Sequence, residues 1–305
     1  MRAIITGATG AVGTALIEEL IHNDIEVLVF VRKDSKRCGN IPRHELVNIK
    51  ECSLEQLSSV KNDTGKIYDI FFHLAWDGTT GSSRNDMYLQ NQNIRYSLDA
   101  VDVAKRFGCN TFIGVGSQAE YGRVEGVLNS KTPTFPETGY GIAKLCSGFM
   151  TREHAHQLGL RHIWVRILSI YGPNDGGQSM VMSTINKLKQ GIVPEFTKGE
   201  QRWDYLYSKD AAQAFRLIAE KGQDGKVYVL GSGKARALSE YIYEIKECVN
   251  PFCDVAMGVI PYSEKQVMYL EADIAELQED TGFVPKTIFT DGIKETLEWS
   301  NRDEL

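Results

Sequence analysis

The sequence predicts an α/β fold, a doubly wound parallel sheet with a smaller C-terminal lobe, and three observations carry that prediction. Short β-branched runs alternate with amphipathic stretches through the first two-thirds of the chain. Several of those runs are apolar almost without interruption, as strands covered on both faces require. The first of them leads straight into a glycine-rich turn and then a helical pattern.

The elements follow in order. Strands are predicted at Ala3–Thr6, Glu26–Val31, Leu46–Ile49, Ile67–His73, Thr111–Gly116, His162–Leu168 and Lys226–Leu230. Helical spacing of apolar residues marks Val12–His22, Met87–Phe107, Gly141–Gln157 and Lys209–Glu220 between them. The character changes after Pro173. Residues 174–202 hold a glycine-rich loop, a helix at Ser179–Gln190 and a proline-containing segment. Helices near Ser239–Cys248, Asp273–Asp280 and Asp291–Arg302 follow. The expected organisation is a nucleotide-binding domain at 1–173 plus about 203–231, with a substrate lobe from 174–202 and 232–305.

Composition narrows the class. The 305 residues are 42% hydrophobic and 24% charged, ordinary globular values that exclude a disordered chain or a rod. Lys plus Arg is 34 against 40 Asp plus Glu, a net charge of −6. A protein that neutralises nucleic-acid phosphates would be more basic, so no nucleic-acid partner is expected. No apolar run reaches membrane-spanning length, and a strand beginning almost at residue 1 leaves no room for a secretory signal. The six cysteines lack redox or zinc spacing. His154 and His156, two apart on one helix, do not share a face, so no metal site is expected. The expectation is a cytoplasmic protein.

Gly7-Ala-Thr-Gly10-Ala-Val-Gly13 joins the first strand to the first helix. Glycines there permit a tight turn, close backbone approach to a pyrophosphate, and close packing of helix on strand, as in a Rossmann dinucleotide site. The anion would rest at the helix N-terminus, on Gly7, Thr9, Gly10, Ala11, Val12 and Gly13. The second strand ends Val31-Arg32-Lys33-Asp34. An NAD site usually places an acid first, to hold the ribose 2′-hydroxyl. Arg32 and Lys33 suit a 2′-phosphate, so NADP is favoured over NAD. The alternative for both residues is a solvated loop.

Tyr140-Gly-Ile-Ala-Lys144 opens a helix, and i, i+4 spacing puts both side chains on one face. An ammonium beside a phenol should lower its pKa from about 10 and equip it for proton transfer near neutral pH. Ser117 stands at the C-terminal end of a strand, where ligands bind in open parallel sheets. Its hydroxyl can donate to a carbonyl or alkoxide.

These residues give the chain its resemblance to the extended short-chain dehydrogenases/reductases acting on nucleotide sugars. The resemblance spans nearly the whole chain. It runs from the glycine loop through His73-Leu74-Ala75, Asn93, Ser117, Tyr140 and Lys144. It continues through Arg166, Tyr171-Gly-Pro173 and Arg202-Trp-Asp204 to Gly282-Phe-Val-Pro285 and Trp299. It implies a Ser117–Tyr140–Lys144 triad, with Tyr140 as acid/base and Lys144 on the nicotinamide ribose. It further implies cofactor contact at Leu74 and Ala75, and substrate contacts at Trp76, Asn93, Ser117, Gln118 and Arg202. The implied partners are a nucleotide-diphospho-sugar substrate and a second copy of the chain, the homodimer forming through the two long helices.

Departures within the resemblance narrow the reaction. Dehydratases of this type resemble Thr-Asp-Glu where this chain has Ser117-Gln118-Ala119, so the pair of acids for eliminating water is missing. Glu120 stands one place too late. Epimerase-reductases of the GDP-fucose type place a cysteine where Ala119 stands. The closest likeness is to reductases of nucleotide-linked 4-keto-6-deoxyhexoses. The expectation is an NADP(H)-dependent C4-ketone reductase, with an NAD-holding nucleotide-sugar 4-epimerase as the alternative. A non-catalytic dinucleotide sensor is a third reading, and the intact Ser117, Tyr140 and Lys144 argue against it.

Overall fold

The computed structural model describes residues 1–124 and 126–302. Its elements in chain order begin β1 (Arg2–Thr6), α1 (Ala11–His22), β2 (Glu26–Val31), β3 (Val47–Glu51), β4 (Ile70–His73), α2 (Met87–Arg106) and β5 (Thr111–Ser117). Next come β6 (Val127–Leu128), α3 (Gly139–Gln157), β7 (Arg161–Ile167), β8 (Ser169–Tyr171), α4 (Met180–Lys189), β9 (Arg202–Trp203) and β10 (Tyr205–Tyr207). The last are α5 (Ser208–Lys221), β11 (Val227–Leu230), β12 (Arg236–Ala237), α6 (Leu238–Val249), β13 (Tyr269–Ala272), α7 (Ala275–Thr281) and α8 (Phe289–Arg302).

Seven strands form one parallel sheet in the order β11-β7-β5-β4-β1-β2-β3. The unbroken apolar runs now have their explanation. Successive side chains on a strand point to opposite faces, so both parities must be apolar where helices cover both faces. Ile5, Val27, Val29 and Phe72 pack with Leu16, Leu20, Phe215 and Ile218 of α1 and α5. Their neighbours Ile4, Leu28, Phe30 and Phe71 pack with Val101, Ala104 and Ala155 of α2 and α3.

All seven predicted strands exist. The strand predicted from Ile67 starts only at Ile70, and Ile67, left outside β4, is 69% exposed. The short strands β6, β8, β9, β10, β12 and β13 were not anticipated. β10 pairs with β8 in a two-stranded sheet, and β12-β9-β13-β6 form a four-stranded one. Strands of two to four residues carry too little periodicity to read from sequence. A separate apolar cluster ties α4, α6 and α8 together through Ile185, Tyr241, Ile245, Phe289 and Ile293.

Candidate active site

The glycine loop is shaped by contacts that only glycine permits. Gly7 has a positive φ of 74°, and a Cβ there would stand 2.7 Å from the Ala75 nitrogen. A Cβ on Gly13 would stand 2.3 Å from the Gly7 carbonyl oxygen, so glycine lets α1 seat on the turn. Gly10 is different: the nearest atom to a Cβ there is 3.9 Å away. Its open side faces outward at the N-cap of α1, where no side chain caps the helix and no acid occupies the first turn. Unpaired N–H groups and the helix dipole therefore remain available to an anion.

Thr6, Gly7, Ala8 and Thr9 line one side of a cleft with about 210 Å³ of room. Val31, Arg32, Ser35, Cys52, Ser53, Leu54 and Leu57 line the other, and Leu74, Ala75, Trp76 and Asp77 close it. A bare helix N-terminus beside a slot lined by both polar and apolar side chains suits a dinucleotide. At the end of β2, Arg32 lines the cleft, whereas Lys33 and Asp34 are exposed and do not. No carboxylate stands where a ribose-binding acid would close the strand.

Ser117 ends β5 and caps the short turn Gln118–Glu120, its Oγ accepting the Ala119 N–H at 3.2 Å. Tyr140 sits in the first turn of α3, which Thr138 caps by accepting the Gly141 N–H at 3.1 Å. Lys144, one turn later, donates from Nζ to the Val115 carbonyl at 2.7 Å. That Nζ is 3.9 Å from the Trp76 ring centre and 5.9 Å from that of Tyr140. The Trp76 and Tyr140 rings meet edge to face with centroids 6.0 Å apart. Trp76 therefore joins the cleft to the triad.

One expectation is corrected by this geometry. The Tyr140 phenol is not shifted down by Lys144. Burial pushes it above its ordinary value, against the pull of the Ser117 hydroxyl and the Arg84 guanidinium. Lys144 itself is fully buried, and desolvation brings its ammonium down to about 7, although Glu120 pulls the other way. The ammonium is therefore far easier to deprotonate than that of a solvated lysine.

Glu120 is wholly buried and fully committed. Its carboxylate accepts the Ser117 N–H at 2.8 Å and the Trp164 indole N–H at 3.1 Å, and pairs with Arg166 Nε at 2.7 Å. It fixes the turn that aims Ser117. Asn93, 1% exposed, is likewise engaged: its amide grips both the N–H and the carbonyl of Asp77, holding the Trp76 segment. Gln118 is half-buried in the turn after Ser117. Arg202 lies on β9, exposed, with Nη2 donating to the Ala235 carbonyl. No hydrogen bond or ring contact joins it to the triad among the described residues. The intervening Trp203 donates to Ser169 Oγ at 2.7 Å. Asp204 is buried and accepts four N–H or O–H groups from residues 232, 233 and 272, a purely internal tie. His154 and His156 turn to different partners, Asp102 and Asp224. Among the described residues no group of three or more His, Cys, Asp or Glu could hold a metal ion.

Arg84 was missed. It lies in the turn Gly81–Asn85, with its guanidinium 4.2 Å from the Tyr140 ring centre. A lone arginine in a Gly/Ser/Asn-rich loop gives no periodic signal; only the fold brings it to the tyrosine.

A parallel α/β sheet with a glycine cradle at its first helix, and a serine, tyrosine and lysine gathered at the strand ends, defines a dinucleotide-dependent enzyme of the short-chain dehydrogenase/reductase class. Comparison with known proteins gives the family: residues 3–231 match the NAD dependent epimerase/dehydratase family, and the chain belongs to it. It is 23% identical over 314 residues to a dTDP-glucose 4,6-dehydratase of Streptomyces niveus, covering 98% of this chain and 92% of that one. A UDP-N-acetylglucosamine 4-epimerase from Methanobrevibacter ruminantium, solved with UDP-N-acetylmuramic acid, superposes with a TM-score of 0.88 at 24% identity, over 99% and 98% of the two chains. A UDP-glucuronic acid 4-epimerase from Bacillus cereus, solved with NAD, gives 0.86 at 18% identity over the full length of both chains. The protein is thus a member of an enzyme family whose relatives here are nucleotide-sugar epimerases and dehydratases. No helix among its described residues is long and apolar enough to cross a membrane.

Proposed function

We propose that this protein reduces the C4 ketone of a nucleotide-diphospho-6-deoxyhexose with NADPH. The observation that carries the reading is the state of Glu120. Dehydration at C5 and C6 needs acid and base side chains free to move protons. Gln118 and Ala119 supply none, and the Glu120 carboxylate is buried against Arg166, Trp164 and the Ser117 amide. What remains is chemistry at C4. NADPH, held by the Gly7–Gly13 loop with Arg32 at its 2′-phosphate, would supply the hydride.

The chain's own groups do the rest. Ser117 Oγ hydrogen-bonds the C4 oxygen and polarises the ketone. Tyr140 Oη gives its proton to that oxygen, so one hydride and one proton turn ketone into alcohol. Lys144, whose ammonium pKa is lowered by burial to about 7, would return a proton to the phenolate. Trp76 and Gln118 would flank the sugar. Asn93 would act through the Trp76 segment it holds, and Arg202 would reach the diphosphate from the lobe formed by 174–202 and 232–305. A cytoplasmic homodimer joined through α2 and α3 completes the proposal. It is supported by the exposed Ile142, Phe149 and Met150 along α3.

The test is direct. The purified protein is denatured to identify released dinucleotide, then assayed for NADPH oxidation against dTDP-, CDP-, UDP- and GDP-linked 4-keto-6-deoxyhexoses. The reductase purifies empty and oxidises NADPH with at least one of them. Stoichiometric bound NAD, with epimerisation that needs no added cofactor, would establish the 4-epimerase instead.

A further inference from the structure

We propose that Arg84 is a positioning residue for proton transfer: the permanent cation resting on the Tyr140 ring that makes the phenolate attainable. The inference rests on reading Tyr140 as the proton-transfer group, and two observations carry it.

The first is an exchange of partners. The cation expected to serve Tyr140 is Lys144, but its ammonium lies on Trp76 at 3.9 Å and is held by the Val115 carbonyl. The guanidinium of Arg84 lies instead 4.2 Å from the centre of the Tyr140 ring. A cation over a ring face is attracted by the ring quadrupole, and more strongly once the ring carries phenolate charge. The second is the chemistry of the two cations: a guanidinium is intrinsically a much weaker acid than an ammonium. Lys144, desolvated to a pKa of about 7, loses its charge over the range in which the enzyme would work.

Arg84 is also held in place. Its Nη1 donates to the Thr79 carbonyl at 2.8 Å, which anchors the guanidinium while its carbon stays over the tyrosine ring. Asn85, next in the turn, accepts the Gly139 N–H at 3.0 Å and ties the Arg84 turn to the start of α3. The other charged groups facing the phenol are Lys144 from its own helix and Glu120 from the turn after β5. Glu120 opposes ionisation, and Arg84 favours it.

The consequence is a titration that moves with Arg84. Protein labelled with 3-fluorotyrosine, whose phenol is the more acidic, is titrated by 19F NMR without substrate. The Tyr140 resonance is assigned by its absence in Tyr140→Phe among the 13 tyrosines. Arg84→Gln and Arg84→Met should each raise the Tyr140 midpoint by about one pH unit, and Arg84→Lys should recover part of the shift. A folded neutral variant, with far-UV circular dichroism and melting as in the parent, whose Tyr140 midpoint does not move overturns the proposal. Two neutral side chains of different shape guard against one that misfolds. Since no substrate enters the titration, its failure is separate from failure of the reductase reading, which rests on NADPH oxidation.

Discussion

Glu120 and Lys144 are two buried ionisable side chains at the same end of the sheet, and the fold treats them in opposite ways. Glu120 is satisfied on every side: a buried arginine, an indole N–H and a backbone N–H share its charge. Lys144 has a carbonyl and an aromatic face, and among the described residues no carboxylate forms an ion pair with it. The first arrangement fixes geometry. The second leaves a group whose protonation is undecided near neutral pH, which is what proton transfer requires. Paired charge builds the frame at this site, and in the proposed mechanism the unpaired charge serves the chemistry.

The contrast breaks first at Tyr140, which stands beside the unpaired lysine. Tyr140→Phe should cut NADPH-dependent turnover by about 10²–10⁴-fold while leaving dinucleotide affinity and melting temperature near parental values. Turnover within a few-fold of the parent would place the proton donor elsewhere and make the unpaired side of the comparison structural too.

The paired side should fail differently. Glu120→Gln leaves the Arg166 guanidinium, 5% exposed as a residue, without its counter-charge. Removing one partner from such a buried pair costs about 3 kcal/mol or more, so urea unfolding should show a loss of that order. Lys144→Met removes a desolvated ammonium without an ion-pair partner among the described residues and should not destabilise the protein. If Lys144→Met proves the more destabilising of the two, the division between frame and chemistry is drawn in the wrong place.

The same lysine gives a pH signature. Its folded pKa of about 7 lies below the value near 10.4 of the unfolded chain, so between these the unfolded state binds more protons. This contribution therefore rises with pH: least favourable below pH 7, and gained progressively toward pH 10. Denaturant unfolding at pH 7 and pH 9 should show a gain at the higher pH, of the order of 2 kcal/mol, that Lys144→Met lacks. An identical pH dependence in parent and variant would mean that the ammonium is better solvated than its surroundings imply.

What the sequence disclosed follows the same line. Glycine spacing, strand-to-helix alternation and the Tyr140–Lys144 spacing are local patterns, and the seven sheet strands and the gathering of Ser117, Tyr140 and Lys144 at one end of the sheet were legible from them. The roles of charge were not. Lys144 looked like the cation beside the phenol, because sequence spacing conveys a shared helix face but not desolvation or Trp76. Arg84 and Arg166 are far in sequence from the groups they serve, so nothing short of the folded chain shows one on Tyr140 and the other on Glu120. The small sheets of β6, β8, β9, β10, β12 and β13 escaped for a plainer reason: two to four residues hold no period.

The smallest expected effect sharpens the comparison at the solvent boundary, where an exposed charge acts only when a ligand meets it. Arg32 is exposed but lines the cleft, and Lys33 beside it is exposed and does not. An exposed side chain away from packing contributes little to folding, so Arg32→Ser and Lys33→Ser should both melt near the parent temperature. Toward a 2′-phosphate they should differ. An arginine at the rim makes charge-assisted hydrogen bonds to the phosphate in high-dielectric surroundings, a modest gain compared with a buried pair. Arg32→Ser should therefore weaken NADPH binding by about tenfold and leave NADH binding unchanged, and Lys33→Ser should alter neither. Fluorescence titration with both dinucleotides reads this directly, and added salt should shrink the Arg32 effect because the contact is screened. Equal loss from both variants would mean that the loop after β2 folds over the cofactor when it binds and that Lys33 joins the phosphate there.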